Sequence, residues 1–306
     1  MVSEPFLGRR SWSLWRRLPV VLRALLSALA VVIGGIQVWR YLIAANLAIS
    51  PGAPWAAAAM VLYLWLYWRY LKGRGWPRST SESRRRDLRA QQLTPTTWRW
   101  ALVAGGSFMA ATAPLTVILG RLFPLPRLLP DFLQRLPPLT LVSFLLMSSI
   151  VAGVVEEAAF RGYLQSPIER RHGPVLAILI TSMIFVLFHL PGRPSVSPSY
   201  LFLVSLASLN YGILAYLTNS ILPGLVLHAS GDVASFALIW WFHVVLGPRE
   251  QHGLPLDAAI RDPLLLTNCG EFVVLAVVSA WAFRRLAMHV NSTPRPAANP
   301  GHQADG

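Results

Sequence analysis

Long apolar blocks separated by short polar or basic connectors dominate this chain. A helix needs roughly 20 mostly apolar residues, at about 1.5 Å per residue, to cross about 30 Å of hydrocarbon. By that rule the pattern predicts an all-α, polytopic membrane helix bundle with about eight transmembrane helices. The predicted spans are Ala24–Ala48, Pro54–Leu71, Trp98–Leu119, Leu139–Leu164, Pro174–Leu190, Tyr200–Leu217, Ile221–Val245 and Pro263–Phe283.

The composition supports a membrane protein. Of the 306 residues 54% are hydrophobic and only 13% are charged, with a mean hydropathy of +0.49, whereas soluble domains carry about a quarter charged residues. The net charge of +14 is spread between the apolar spans, which favours lipid headgroups over nucleic acid as its partner. A single cysteine, Cys269, excludes an internal disulfide and a cysteine-based metal cluster.

The positions of the basic residues predict the topology. Arginines precede the first span and follow the second, fourth and eighth spans, whereas the SPGAP connector after the first span is uncharged. Because Lys and Arg are retained on the cytoplasmic side, both termini are expected in the cytoplasm. The basic connector is expected to be a solvated loop or surface helix. The predicted segments are a basic cytoplasmic N-terminus (1–23), N-terminal membrane helices (24–137) with a basic cytoplasmic connector (72–97), a core (138–245), an external loop and last membrane helix (246–290), and a disordered tail (291–306).

A first polar island, EEAAFRG, ends the fourth predicted span. Glu157 and Arg161 are four residues apart, so they share a helix face and lie within ion-pair reach. Glu156 is turned away by about 100° and lacks such a local partner. The two acids therefore have different expected roles, Glu157 held by Arg161 and Glu156 free to act. The alternative is that both acids only neutralise Arg161 near a helix end.

Two further islands contain histidine. His189 ends the fifth span, where an interfacial histidine is the simpler interpretation, and His228 and Asp232 lie four residues apart inside the seventh. A buried pair that only fixes helix packing is the alternative for His228 and Asp232. One difficulty remains, because His189 ends a span that runs opposite to the span with Glu156. The two meet only if the fifth segment is re-entrant or the fourth span is long enough to hold its acids at mid-depth.

In this order and spacing the islands resemble the CAAX-protease and bacteriocin-processing (CPBP, or ABI) family of intramembrane endopeptidases, which includes the type II CAAX prenyl proteases. The family pattern is E-E-x-x-x-R, then F-x-x-x-H, then H-x-x-x-N or D. Its counterparts here are Glu156, Glu157 and Arg161, then Phe185 and His189, then His228 and Asp232. The resemblance covers roughly residues 138–245.

The resemblance implies a peptidase site in a membrane-embedded cavity. Glu156 would activate a water as general base, with His189 positioning that water. His228 and Asp232 would stabilise the tetrahedral oxyanion. Glu157 and Arg161, with Phe185 beside them, would hold the site in place.

Asp232 leaves three interpretations open, since an ionised aspartate cannot donate to an oxyanion. It is protonated and donates, or it orients and charges His228, or it assists a divalent metal such as zinc. In the last case Glu156, His189 and His228 would be the ligands, a normal catalytic zinc set. The metal-free mechanism is favoured, with no cofactor. The chain lacks the H-E-x-x-H motif of zinc proteases.

The sequence therefore predicts an intramembrane endopeptidase that hydrolyses a peptide bond of a membrane-associated, possibly lipidated, protein or peptide. The alternative is a non-catalytic membrane scaffold or a proton-coupled transporter. Arg40 in the first span and Glu271 in the eighth fit a transporter's charged pathway, although they could also pair with each other or snorkel.

Overall fold

The computed structural model describes residues 15, 17–123, 136–190, 197–246, 255–259 and 261–292, in which no β-strand occurs. The basic residues before Trp15, the loop 247–254 and the tail after Ser292 lie outside this range, so the predictions made for them are not addressed. The helices are α1 (Val20–Ile49), α2 (Trp55–Leu71), α3 (Ser81–Leu88), α4 (Pro95–Leu122), α5 (Pro138–His172), α6 (Pro174–Phe188), α7 (Pro198–Thr218), α8 (Leu222–Leu246), α9 (Leu256–Ala259) and α10 (Pro263–Ser292).

The predicted all-helical membrane class is confirmed. A helix occupies each of the eight predicted positions, but only five helices are both long and apolar enough to qualify as membrane spans: α1, α4, α5, α7 and α10. Helix α6 and the described part of α8 (Leu222–Leu238) are shorter apolar helices, and α2 has 17 residues. Eight crossings therefore remain a prediction.

Helix α5 contains a long π-helical segment, Ala152–Gln165, between two α-helical ends. This segment carries all three residues of the first polar island, Glu156, Glu157 and Arg161. π-helical turns are rare and occur frequently at functional sites. Most of the segment is buried, so it is the central element around which the other helices pack.

Glycines bring neighbouring helices close to this π-helical segment. A methyl group on Gly35 of α1 would lie 2.4 Å from the Val155 side chain, and one on Gly153 would lie 2.9 Å from the Leu225 carbonyl oxygen of α8. Small residues permit such close backbone approach between membrane helices. The approach of α8 at Gly153 is what places His228 beside the two glutamates.

The length of α5 removes the difficulty with His189. Glu156 precedes the end of α5 at His172 by 16 residues, and His189 follows Pro174, the first residue of α6, by 15. The two helices are antiparallel about the tight turn at Gly173, so Glu156 and His189 lie at similar heights in the bundle. The length of α5 favours the second of the two sequence alternatives, a long fourth span, and the depth of the acids in the membrane stays a prediction.

The basic connector is more tightly packed than expected for a solvated segment. Leu88 and Arg89 are only 1% and 5% exposed. A Cβ on Gly162 would lie 3.2 Å from the Leu88 Cα, so the connector backbone rests directly on α5. Arg89 donates through Nη1 to both carboxylate oxygens of Glu169, at 2.9 and 3.0 Å, and through Nη2 to the Arg161 carbonyl at 3.3 Å. Burial lowers the pKa of the Arg89 guanidinium, and the Glu169 carboxylate opposes that shift.

Among the described residues, the basic connector and the basic ends of α5 and α10 lie at one end of the bundle. Arg170, at the end of α5, binds Asp87 of the connector at 2.6 Å. Trp100, near the start of α4, packs edge-on against Trp281 near the end of α10, with ring centroids 5.2 Å apart. The start of α5 lies at the opposite end, where Thr140 donates to the carbonyl of Pro51.

We predict that Arg89→Ala lowers the free energy of unfolding by about 3 kcal/mol, because it leaves the Glu169 carboxylate largely buried without its cation. Denaturant unfolding in detergent micelles, followed by circular dichroism, measures this. The matched control is Arg85→Ala, whose ion pair with Glu82 is 71% and 75% exposed and is worth about 0–1 kcal/mol. Equal losses for the two variants would contradict the role given to Arg89.

Candidate active site

Glu157 is the centre of a buried polar cluster. Its Oε1 forms an ion pair with Arg161 Nη1 at 3.0 Å and accepts a hydrogen bond from His228 Nδ1 at 2.9 Å, and the side chains of Glu157 and Arg161 are both fully buried. Gly224 leaves room for this carboxylate, since a Cβ there would lie 2.8 Å from Glu157 Oε2. The predicted pairing of Glu157 with Arg161 is therefore present, and His228 of α8 joins it.

Arg161 connects three helices. Its Nη2 donates to the carbonyl and the hydroxyl of Ser208 on α7, at 3.2 and 3.0 Å. Its guanidinium carbon lies 4.5 Å from the ring centre of Phe185 on α6 and 5.2 Å from that of Tyr211 on α7. Cation–π contacts of this kind are stronger where the cation is desolvated. Arg161 thereby holds α6 and α7 against α5.

The ring of His228 is fixed in both position and tautomer. It stacks on Tyr211 with centroids 5.0 Å apart and planes inclined by 13°, and Phe185 packs edge-on at 6.2 Å. Because the carboxylate of Glu157 accepts, His228 Nδ1 carries the hydrogen of their bond. The other nitrogen, Nε2, then faces Glu156 and Asp232.

Glu156 and Asp232 lie on the other side of His228. Glu156 Oε2 and Asp232 Oδ2 are each 3.9 Å from His228 Nε2, which is too long for a direct hydrogen bond. Within the described residues Glu156 Oε2 has no hydrogen-bond partner. The Glu156 and Asp232 side chains are 18% and 35% exposed, so both are more accessible than Glu157. Of the two glutamates, Glu156 is thus the one that is outside the buried ion pair with Arg161 and is partly exposed.

His189 joins the cluster through Phe185. Its Nδ1 donates to the Phe185 carbonyl at 2.8 Å, which leaves Nε2 as the acceptor of the neutral ring. The Phe185 ring lies 4.5 Å from the ring of His189 and 6.2 Å from that of His228. All seven residues singled out from the sequence therefore belong to one region of the bundle.

The sequence reasoning missed two residues that shape this site, Tyr211 and Ser208. Both lie on α7, three residues apart, and both are buried. Tyr211 opens the YGILAYL stretch that precedes the last motif, but no charge marks either residue as part of a polar cluster. Only the packing of α7 against α5 and α8 identifies them.

The donors do not form a metal centre within the part of the chain that the structure describes, where no group of three or more His, Cys, Asp and Glu side chains is arranged to hold a metal ion. One nitrogen of His228 is already used by Glu157. The choice between a metal-free site and the alternative set for zinc, Glu156, His189 and His228, therefore stays a prediction.

Residues 138–234 match the family model described as Type II CAAX prenyl endopeptidase Rce1-like. The predicted family is confirmed over that segment. The matched residues run from the start of α5 to just beyond Asp232, so they contain the whole cluster. The family that this segment matches is one of CAAX-type peptidases, which act on membrane-associated prenylated proteins. No curated protein and no solved structure matches the chain.

We predict that Glu157→Gln and Glu156→Gln differ in stability. Glu157→Gln leaves the fully buried Arg161 without its anion and lowers the free energy of unfolding by about 3 kcal/mol. Glu156→Gln removes a carboxylate that lacks such a partner, so stability stays within about 0.5 kcal/mol of wild type or rises slightly. Circular dichroism during denaturant unfolding in micelles compares the two variants, and equal losses would show that both glutamates are structural.

Proposed function

We propose that this protein is an intramembrane endopeptidase that hydrolyses a peptide bond of a membrane-associated, lipid-modified protein or peptide. The observation that carries the proposal is the convergence of the motifs. Glu156 and Asp232 each lie 3.9 Å from Nε2 of His228, beside the buried Glu157–Arg161 pair, and the Phe185 ring lies between the rings of His189 and His228. The family match over residues 138–234 supports the same reaction class.

Glu156 is the proposed general base. It has a carboxylate oxygen without a hydrogen-bond partner among the described residues, and it is partly accessible. Water is a poor nucleophile at neutral pH, and a carboxylate within hydrogen-bond reach accepts its proton as the oxygen attacks. His189, whose ring packs on Phe185 beside His228, is the residue proposed to position the same water.

His228 is the proposed main oxyanion donor. Attack converts the peptide carbonyl into a tetrahedral oxyanion, which a preorganised N–H stabilises best in a site with little water. Since Nδ1 is bonded to Glu157, His228 donates from Nε2 only as the imidazolium. The carboxylates of Glu157, Glu156 and Asp232 offset that charge. Asp232 therefore acts mainly by supporting His228, and it donates directly only when it is protonated.

The proton taken by Glu156 completes the reaction. When the tetrahedral intermediate collapses, the bond between the carbonyl carbon and the amide nitrogen breaks. Glu156 returns its proton to the departing nitrogen, so the products are a carboxylic acid and an amine and Glu156 is again ionised. The acid then transfers its proton to the amine, which gives a carboxylate and an ammonium. The buried pair of Glu157 and Arg161 keeps the imidazole ring of His228 in the same orientation throughout the reaction.

We favour this metal-free mechanism over the zinc alternative. Its support is the hydrogen bond of His228 to Glu157, which already uses one of the two ring nitrogens. We further propose that the basic end of the bundle faces the cytoplasm, because cationic residues beside membrane helices are retained on that side. Protease protection of the connector in sealed vesicles tests this orientation.

The transporter alternative has little support from the two charges that suggested it. Arg40 and Glu271 are both exposed on the outside of their helices, and no ion pair joins them among the described residues. Neither contacts the Glu157 cluster. Their exposure fits residues that reach toward the membrane surface better than residues that line a pathway.

The test uses the purified protein in lipid vesicles with a prenylated peptide that ends in a CAAX sequence, and cleavage is followed by mass spectrometry. Glu156→Gln should lower the rate at least about 100-fold, because it removes the general base. Asp232→Asn, which replaces the carboxylate by a neutral amide that donates hydrogen bonds, should retain measurable cleavage. A strong chelator should leave the wild-type rate unchanged, and loss of cleavage with chelator would favour the metal.

Glu271→Gln is the matched control, since it also neutralises one glutamate in a membrane helix but lies outside the cluster. It should cleave like wild type. Full cleavage by folded Glu156→Gln would overturn the assignment of the base. No cleavage by the wild-type protein of prenylated or unprenylated peptides would favour the scaffold.

A further inference from the structure

A second polar site lies in the basic connector, outside the matched segment. A pocket of about 780 Å³, which is within the usual size range of ligand sites, opens between the turn after α2 and helix α3. Four cationic side chains and one acidic side chain line it: Lys72, Arg74, Arg85, Arg86 and Glu82. The pocket is therefore suited to an anion.

The positive charge of the pocket is only partly neutralised. Glu82 pairs with Arg85 at 2.8 Å, and Arg86 lies 3.5 Å from Asp87, whose same oxygen already accepts from Arg170. Lys72 and Arg74 have no carboxylate within ion-pair distance among the described residues. An anion that enters the pocket would thus meet cations that the protein does not otherwise satisfy.

The wall of the pocket is the turn after α2, which side-chain hydrogen bonds hold in place. Arg84 is buried beneath it, and its guanidinium donates to the carbonyls of Tyr70, Gly75 and Pro77 at 2.7–3.2 Å. Ser81 also donates to the Gly73 carbonyl. These bonds hold the turn in one conformation and occupy carbonyl oxygens that would otherwise repel an anion. The cations of the pocket are therefore presented on a fixed backbone.

The aromatic residues beside the pocket indicate where it lies. The Arg69 guanidinium is 4.6 Å from the Trp65 ring centre, and Lys72 Nζ is 5.3 Å from that of Trp68. Trp76, in the turn itself, is 86% exposed. Tryptophan at the end of a membrane helix collects at the lipid–water boundary, so the pocket is at the level of the phospholipid headgroups.

We propose that this pocket binds the phosphate of an anionic phospholipid. Basic segments next to membrane helices attract such lipids, and here they are folded into a cavity rather than spread along a loop. Leu88 forms part of the pocket and also packs on Gly162 of α5, so a bound lipid stabilises the connector on which the helix of Glu157 rests. The binding itself does not depend on the proposed proteolysis.

The test is native mass spectrometry of the full chain in detergent, with phosphatidylglycerol or phosphatidylcholine of the same acyl chains. Wild type should bind phosphatidylglycerol in preference to phosphatidylcholine. The double variant Arg74→Glu/Arg86→Glu should lose about tenfold or more of its phosphatidylglycerol affinity, because two cations near the headgroup become anions. Circular dichroism establishes that each variant is folded.

The matched control is Arg78→Glu/Arg284→Glu, which makes the same charge change at exposed arginines outside the pocket. It should bind phosphatidylglycerol like wild type. Equal losses for the two double variants would show a general charge effect and overturn the site. If wild type binds both lipids equally, the pocket is not a site for an anionic lipid.

Discussion

The ion pair between Glu157 and Arg161 is the interaction on which the rest of the structure depends. Both side chains are fully buried, and removing charges from water costs several kcal/mol per ion unless each is paired and hydrogen-bonded. That constraint explains the surroundings of the pair. Ser208 supplies acceptors for Arg161, Gly224 leaves space for the carboxylate, and His228 donates to it. Four helices, α5 to α8, meet because they must satisfy or enclose these two charges.

The pair also separates the roles of the two adjacent acids. Glu157 is fully buried, pairs with Arg161 and orients His228, whereas Glu156 is 18% exposed and faces His228 Nε2 from 3.9 Å. Adjacent residues on a helix point in different directions, so one short motif supplies both the buried anchor and the accessible carboxylate. The connector also holds this part of α5 in place, because Arg89 donates to the backbone carbonyl of Arg161.

Local spacing was enough to predict the pairs within single helices. Glu157 with Arg161, and His228 with Asp232, follow from positions four apart, and the apolar blocks located the helices. The contacts between helices could not be predicted this way. Tyr211 stacks on His228, and Arg89 binds Glu169. Each pair is separated by more than 15 residues of sequence, and no local pattern marks Tyr211 or Arg89 as a partner. The π-helical form of the segment Ala152–Gln165 likewise has no mark in its pattern of apolar residues. The number of membrane crossings could not be predicted from the sequence either, because α6 is shorter than a helix that spans a membrane.

The central claim is that Glu156 activates water for cleavage while the buried pair maintains the site. Its most direct test compares native-host membranes that contain wild type or Glu156→Gln, by terminal-peptide mass spectrometry at equal protein abundance. The account predicts new peptide termini that occur only with wild type, which would also identify the substrates. Identical termini with the two folded proteins would contradict it and favour a scaffold.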